Sequence, residues 1–187
     1  ETLANGSQSG RKVLKALVLG CNFLQKNKCK FISIPCNTAH YWYDDLKAII
    51  KIPILNMPKI VFGNASKNCK RGSKIGLLAT DTTISTGIYD KFFSKRYKLI
   101  SPPKKLQITS VNKSIRLVKM GKTREAEKSI KPAVNYLLKM KCKKIILGCT
   151  ELPIAIFAYK SFKKAKLSKI FMDPNLILAE ASMKKYK

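Results

Sequence analysis

The chain has 187 residues, of which 45% are hydrophobic. That suffices for the core of one domain or two small lobes and excludes a disordered chain. It carries 38 Lys and Arg against 10 Asp and Glu, a net charge of +28. Such an excess raises nucleic acid or an acidic membrane surface as partners. The lysines, however, are spread along the chain in pairs such as Lys104-Lys105, Lys143-Lys144 and Lys163-Lys164, without interleaved aromatics. Solvated lysine faces with weak polyanion attraction are therefore expected, and no specific nucleic-acid site. No apolar run approaches the roughly 20 residues that span a bilayer. Glu1-Thr2-Leu3-Ala4 lacks the basic start and apolar stretch of a signal peptide, so a cytoplasmic location without a membrane partner is expected.

In chain order, Val13, Leu14, Leu17, Val18 and Cys21 fall near helical spacing and predict a helix over 10–26. A short β-branched run over 31–34 predicts a buried strand, followed by a helix over 41–50 and a second strand over 52–55. A third strand is predicted over 75–79, a helix over 83–95, and a fourth strand over 97–100 stopped by Pro102-Pro103. Helices follow over 108–120, with Gly121 as its stop, and over 125–140, kinked at Pro132. Strands over 144–147 and 170–172 and a terminal helix from Pro174 complete the pattern. Alternating strands and helices predict an α/β fold with parallel sheets covered on both faces. Ligands gather at the carboxyl ends of such strands.

Two strands end alike. The run over 31–35 delivers Cys36-Asn37-Thr38-Ala39-His40, and the run over 144–148 delivers Cys149-Thr150-Glu151-Leu152-Pro153. Each cysteine precedes small hydrogen-bonding residues and a helix start. A thiol there faces unpaired N–H groups and the positive end of a dipole, which predicts a lowered pKa. Asn37, Thr38 and Thr150 are candidates to cap those helices or to hold a carboxylate. The other cysteines, Cys21, Cys29, Cys69 and Cys142, read as small buried apolar residues. No Cys-x-x-Cys pair and a single histidine leave no metal-site spacing.

These two motifs resemble the signatures of the aspartate/glutamate racemase family. Glu151 after Cys149-Thr150 resembles the aspartate-racemase branch. The stretches Ile52-Pro53-Ile54-Leu55-Asn56-Met57, Gly76-Leu77-Leu78-Ala79-Thr80, Thr86-Gly87-Ile88-Tyr89 and Asp173-Pro174 are similar to that branch too. The resemblance implies two doubly wound parallel-sheet lobes with the active site in the cleft between them. The first would span 1–60 with the terminal helix 173–187, and the second 61–172. It implies a first lobe lacking an N-terminal strand and its glycine-rich turn. It further implies a homodimer and racemisation of an acidic amino acid without a cofactor. Cys36 and Cys149 would exchange the α-proton. Asn37, Thr38, Thr80, Thr83, Lys119 and Thr150 would bind the substrate carboxylates, with His40 and Glu151 behind them. Related scaffolds leave hydantoin racemase, maleate isomerase and arylmalonate decarboxylase chemistry as alternatives. An inactive basic polyanion-binding remnant is a further one.

Overall fold

The computed structural model describes residues 7–157 and 168–186. It contains two parallel sheets. The smaller pairs β1 (Ile32–Ser33) with β2 (Ile54–Leu55), Ile32 opposite Ile54. The larger has the order β4-β3-β5-β6, from β3 (Lys74–Ala79), β4 (Lys98–Ile100), β5 (Lys144–Gly148) and β6 (Phe171–Met172). All its pairings are parallel, and Ala79 lies opposite Gly148 at the carboxyl ends of β3 and β5.

The period-two alternation of these strands builds a core on each face. Leu78, Ile145 and Leu147 face α8 (Thr123–Lys139) and α9 (Leu152–Phe157), meeting Ile130, Val134, Leu137 and Ala155. Ile75, Leu77, Ala79, Ile146 and Met172 face the other way, onto α3 (Met57–Asn68) and α10 (Pro174–Tyr186). The small sheet has its own cluster, where Cys21 of α1 (Gln8–Lys26) and Leu46 of α2 (Tyr43–Ile49) cover Ile32 and Ile54. The terminal helix packs on α3 and reaches β1, where Ser182 and Ser33 share a hydrogen bond of 2.7 Å.

Most predicted elements are present, and three differ. The helix α3 was not expected. Asn56 caps it by accepting from the Lys59 N–H at 3.0 Å, and Pro58 sits in its first turn, where a missing N–H costs nothing. The single helix expected over 83–95 is two, α4 (Asp81–Ser85) and α5 (Asp90–Phe93). Gly87, at φ +63°, turns the chain between them. The helix expected over 108–120 starts earlier, as α6 (Lys104–Leu106). It passes through a π-helical stretch, Gln107–Asn112, into α7 (Lys113–Lys119), with Gly121 at φ +74° just beyond.

Pro132 lies inside α8 and removes a helix N–H. Beside it, the Ser110 hydroxyl stands between two groups that would ordinarily bond each other. It donates to the Ser129 carbonyl at 2.5 Å and accepts from the Ala133 N–H at 3.3 Å. The π-helical stretch thus supplies the hydroxyl that satisfies the opened helix.

Candidate active site

The Cys36 turn is held by His40. Chain entry into the 3-10 turn Thr38–Trp42 places His40 over the junction of β2 and α3. The Met57 N–H is an obligatory donor, so the Nε2 atom 3.0 Å away must accept from it. The proton then lies on Nδ1, which donates to the Cys36 carbonyl at 2.9 Å. The Leu55 carbonyl, 3.3 Å from Nε2, is a polar contact only in this tautomer. Burial pushes the His40 pKa below its ordinary value, against its backbone hydrogen bonds, and keeps the ring neutral. His40 thus clamps the Cys36 turn and caps α3. Cys36 itself is exposed.

Asn37 makes no side-chain capping bond to the 3-10 turn, which leaves the second of its two expected roles, holding a carboxylate. It is 3% exposed, its Oδ1 accepts from the Tyr89 hydroxyl at 2.5 Å, and its Nδ2 has no hydrogen-bond partner. Thr38 shares a hydrogen bond of 2.8 Å with Thr83. Thr83, 1% exposed, accepts from the Thr80 hydroxyl at 3.0 Å. Its own N–H donates to Thr80 Oγ1 at 3.2 Å, which makes Thr80 the N-cap of α4. These three hydroxyls join the Cys36 turn to the end of β3. One register step away, Gly148 precedes Cys149.

Gly148 sits in a close approach of the two strands. A Cβ there would lie 3.0 Å from the Ala79 Cβ, 3.1 Å from Leu77 Cδ1 and 3.2 Å from the Leu78 carbonyl oxygen. Beyond it, the Cys149 thiol donates to Glu151 Oε2 at 2.9 Å, and the Thr150 hydroxyl donates to the same oxygen at 2.9 Å. Lys119, at the end of α7, holds its Nζ 3.6 Å from Glu151 Oε1 and is 64% exposed, so the pair contributes little to stability.

The lowered pKa expected at Cys149 is not found. Burial pushes its thiol up to about 12, helped by the hydrogen bond to Glu151 and by that residue's charge. A carboxylate at hydrogen-bond distance outweighs the field of the helix behind it. Burial also raises the Glu151 pKa, but the hydrogen bonds from Cys149 and Thr150, with Lys119 nearby, outweigh it, and the group lies below its ordinary value. Cys21, Cys69 and Cys142 have thiols raised by burial, in keeping with an apolar role. All six cysteines are free.

The site residues therefore form two hydrogen-bonded groups, meeting where β3 and β5 end. Asn37, Thr38, Thr80, Thr83 and His40 surround the Cys36 turn; Thr150, Glu151 and Lys119 surround Cys149. Two supporting residues were not among the expected site residues. Tyr89 holds Asn37 from 52 positions away. Gln107 donates to the Ala79 carbonyl at 2.8 Å and to Asn112 Oδ1 at 2.9 Å, and Asn112 donates to Asp81 at 2.7 Å. This braces both sides of Thr80 from the π-helical stretch. Among the described residues no cluster of three or more His, Cys, Asp or Glu is placed to hold a metal ion, and no helix is long and apolar enough to cross a membrane.

Residues 1–181 match the family model described as Asp/Glu/Hydantoin racemase. A glutamate racemase from Streptococcus equi subsp. equi is 30% identical over 139 residues, covering 71% of this chain and 49% of that protein. The Picrophilus torridus aspartate racemase structure superposes with a TM-score of 0.76 at 28% identity, covering 91% of this chain and 68% of that one. An aspartate racemase homologue from Pyrococcus horikoshii gives a TM-score of 0.75 at 24% identity, covering 97% and 76%, and shows the shared fold. The chain spans 33% to 49% of the length of the first curated relatives it matches. With its two parallel sheets and its paired strand-end cysteines, the chain belongs to the Asp/Glu/hydantoin racemase family.

Proposed function

We propose that this chain racemises an acidic amino acid, aspartate first and glutamate second, without a cofactor. Cys36 and Cys149 move the α-proton. The observation that carries this reading is the hydrogen-bonded run from Thr38 through Thr83 to Thr80, which ties the Cys36 turn to the end of β3, the strand paired with the one that delivers Cys149.

Each cysteine has a distinct starting role. Cys149 begins as the acid, because burial and Glu151 keep its proton on sulfur. Cys36, in the exposed turn, is the proposed base. Its electron pair takes the α-proton, and the C–H electrons pass into the α-carboxylate. The Cys149 proton then closes the opposite face, leaving a Cys36 thiol and a Cys149 thiolate. The other enantiomer runs the sequence backwards. Charge that builds on the α-carboxylate needs aligned donors. Asn37 Nδ2, Thr38 and Thr150 are the proposed ones. Thr80, Thr83 and the mobile-headed Lys119 ammonium take the side-chain carboxylate. Glu151 accepts the hydrogen bond from the Cys149 thiol and so orients its proton, and His40 fixes the turn that carries Cys36. A homodimer acting on a cytoplasmic amino-acid pool completes the proposal.

The test is a substrate panel in deuterium oxide with L- and D-aspartate, L- and D-glutamate, a 5-substituted hydantoin, maleate and an arylmalonate. Deuterium entry at the α-carbon and racemisation of aspartate above glutamate are expected. Turnover of only the hydantoin, maleate or arylmalonate would replace this reading with a related activity on the same scaffold.

A further inference from the structure

We propose that Tyr89 is a positioning residue that fixes the side-chain amide of Asn37, so that Nδ2 and not Oδ1 is presented to a substrate carboxylate. This rests on the racemase reading for its substrate, though not for its geometry. An asparagine amide presents a donor or an acceptor depending on a rotation that costs little by itself. For an anionic ligand the two orientations are opposites, since one attracts and the other repels.

The surroundings of Asn37 select one. Its side chain is buried, and Tyr89 is fully buried behind it. The Tyr89 hydroxyl lies 2.5 Å from Oδ1, and Nδ2 is left without a partner. In the flipped arrangement Nδ2 would donate to the Tyr89 oxygen. The hydroxyl proton and Oδ1 would then both be without partners among the described residues, at the cost of burying unsatisfied polar groups. The observed orientation leaves only the Nδ2 amino group open. Burial, with the charge of Asp173 nearby, pushes the Tyr89 pKa up, so the hydroxyl keeps the proton it donates.

Tyr89 is itself held rigidly. Its ring packs edge-on against Phe93 at 6.0 Å, and Phe93 packs against Phe62 at 5.4 Å and Tyr97 at 5.8 Å. It also follows the turn at Gly87 that splits α4 from α5. That break brings the segment after Thr86 down beneath the Cys36 turn. The open Nδ2 is thus a buried donor, with its orientation set from the core side, in the same turn as Cys36.

The experiment compares the unaltered chain with Tyr89→Phe, Asn37→Asp and the double variant. It measures succinate binding by calorimetry, side-chain amide signals by nitrogen-15 NMR, and racemisation of aspartate. Asn37→Asp keeps the acceptor for Tyr89 but replaces the open donor with an oxygen. In the unaltered chain, succinate should shift one amide pair that Asn37→Asp lacks. Tyr89→Phe should weaken succinate binding about tenfold, the scale of a hydrogen bond to a charged group. It should lower kcat/KM for both aspartate enantiomers by a similar factor. Asn37→Asp should abolish succinate binding, and the double variant should be no worse. Unchanged succinate affinity in Tyr89→Phe, or an unshifted Asn37 amide pair on adding succinate to the unaltered chain, overturns the proposal. If Tyr89→Phe does not fold, Asn37→Asp and the amide signals decide: unchanged affinity there overturns it equally. Succinate coupling without α-proton exchange would defeat the racemase reading and leave the role of Tyr89 standing. Exchange with Tyr89→Phe unaffected would do the reverse.

Discussion

Glu151 Oε2 accepts two hydrogen bonds of 2.9 Å, one from the Cys149 thiol and one from Thr150, and its charge sits within reach of Lys119. Burial alone raises the thiol, and this carboxylate raises it further. Replacing Glu151 by Gln keeps the shape and removes the charge. The Cys149 pKa should then fall, because one of the two causes that oppose its thiolate is gone, while burial remains. At a fixed pH between 7 and 9 the alkylation of Cys149 by iodoacetamide should accelerate, roughly tenfold for each unit of the fall. Racemisation should drop at the same time, since the acid no longer has a partner to hold its proton. A Glu151→Gln chain whose Cys149 reacts no faster would show that burial alone governs this thiol.

At the scale of the elements, β5 delivers Cys149 only because Gly148 lets it lie flat against β3. In Gly148→Ala the new methyl would meet the Ala79 Cβ, Leu77 Cδ1 and the Leu78 carbonyl at 3.0–3.2 Å. Ala79 and Leu77 are buried in the sheet interior, so the strands must part by a few tenths of an ångström to admit it. Overpacking of this kind costs about 1–3 kcal/mol. The variant should unfold at lower urea concentration and lose racemisation disproportionately, as the end of β5 is pushed away from Thr80. Full activity with wild-type stability would mean that the contact relaxes freely. The strands were legible beforehand because they are short continuous apolar runs, buried throughout over Ile75 to Ala79 and over Ile145 to Gly148. The paired cysteine turns were legible because the same small-residue pattern follows both strands. The helix α3 was not, since Gly63 and Asn64 interrupt its apolar spacing and Pro58 reads as a breaker until its place in the first turn is known. The π-helical stretch has no sequence signature: its polar Gln107 and Ser110 look exposed in a linear reading, yet both are buried against Ala79 and the opened turn of α8. Tyr89 was hidden for a different reason. Its partner is brought in by the fold, and no local pattern encodes that contact.

At the scale of the molecule, the account joins two sheets through one set of hydroxyls. The small sheet carries Cys36, the large sheet carries Cys149, and Thr38, Thr83 and Thr80 lie between. Cys21, Cys69 and Cys142 pack in the apolar clusters instead, and none of them stands at the carboxyl end of a strand. The central claim is that one thiol works on each side of the α-carbon, and it predicts an isotopic asymmetry. The direct measurement is racemisation of L-aspartate in deuterium oxide, stopped at low conversion, with deuterium counted separately in the L- and D-enantiomers. Two opposed thiols predict deuterium at the α-carbon of the D-product and almost none in the recovered L-substrate, with both Cys36→Ser and Cys149→Ser failing to racemise. Equal deuterium in the two enantiomers, or racemisation that survives in either serine variant, would contradict the account.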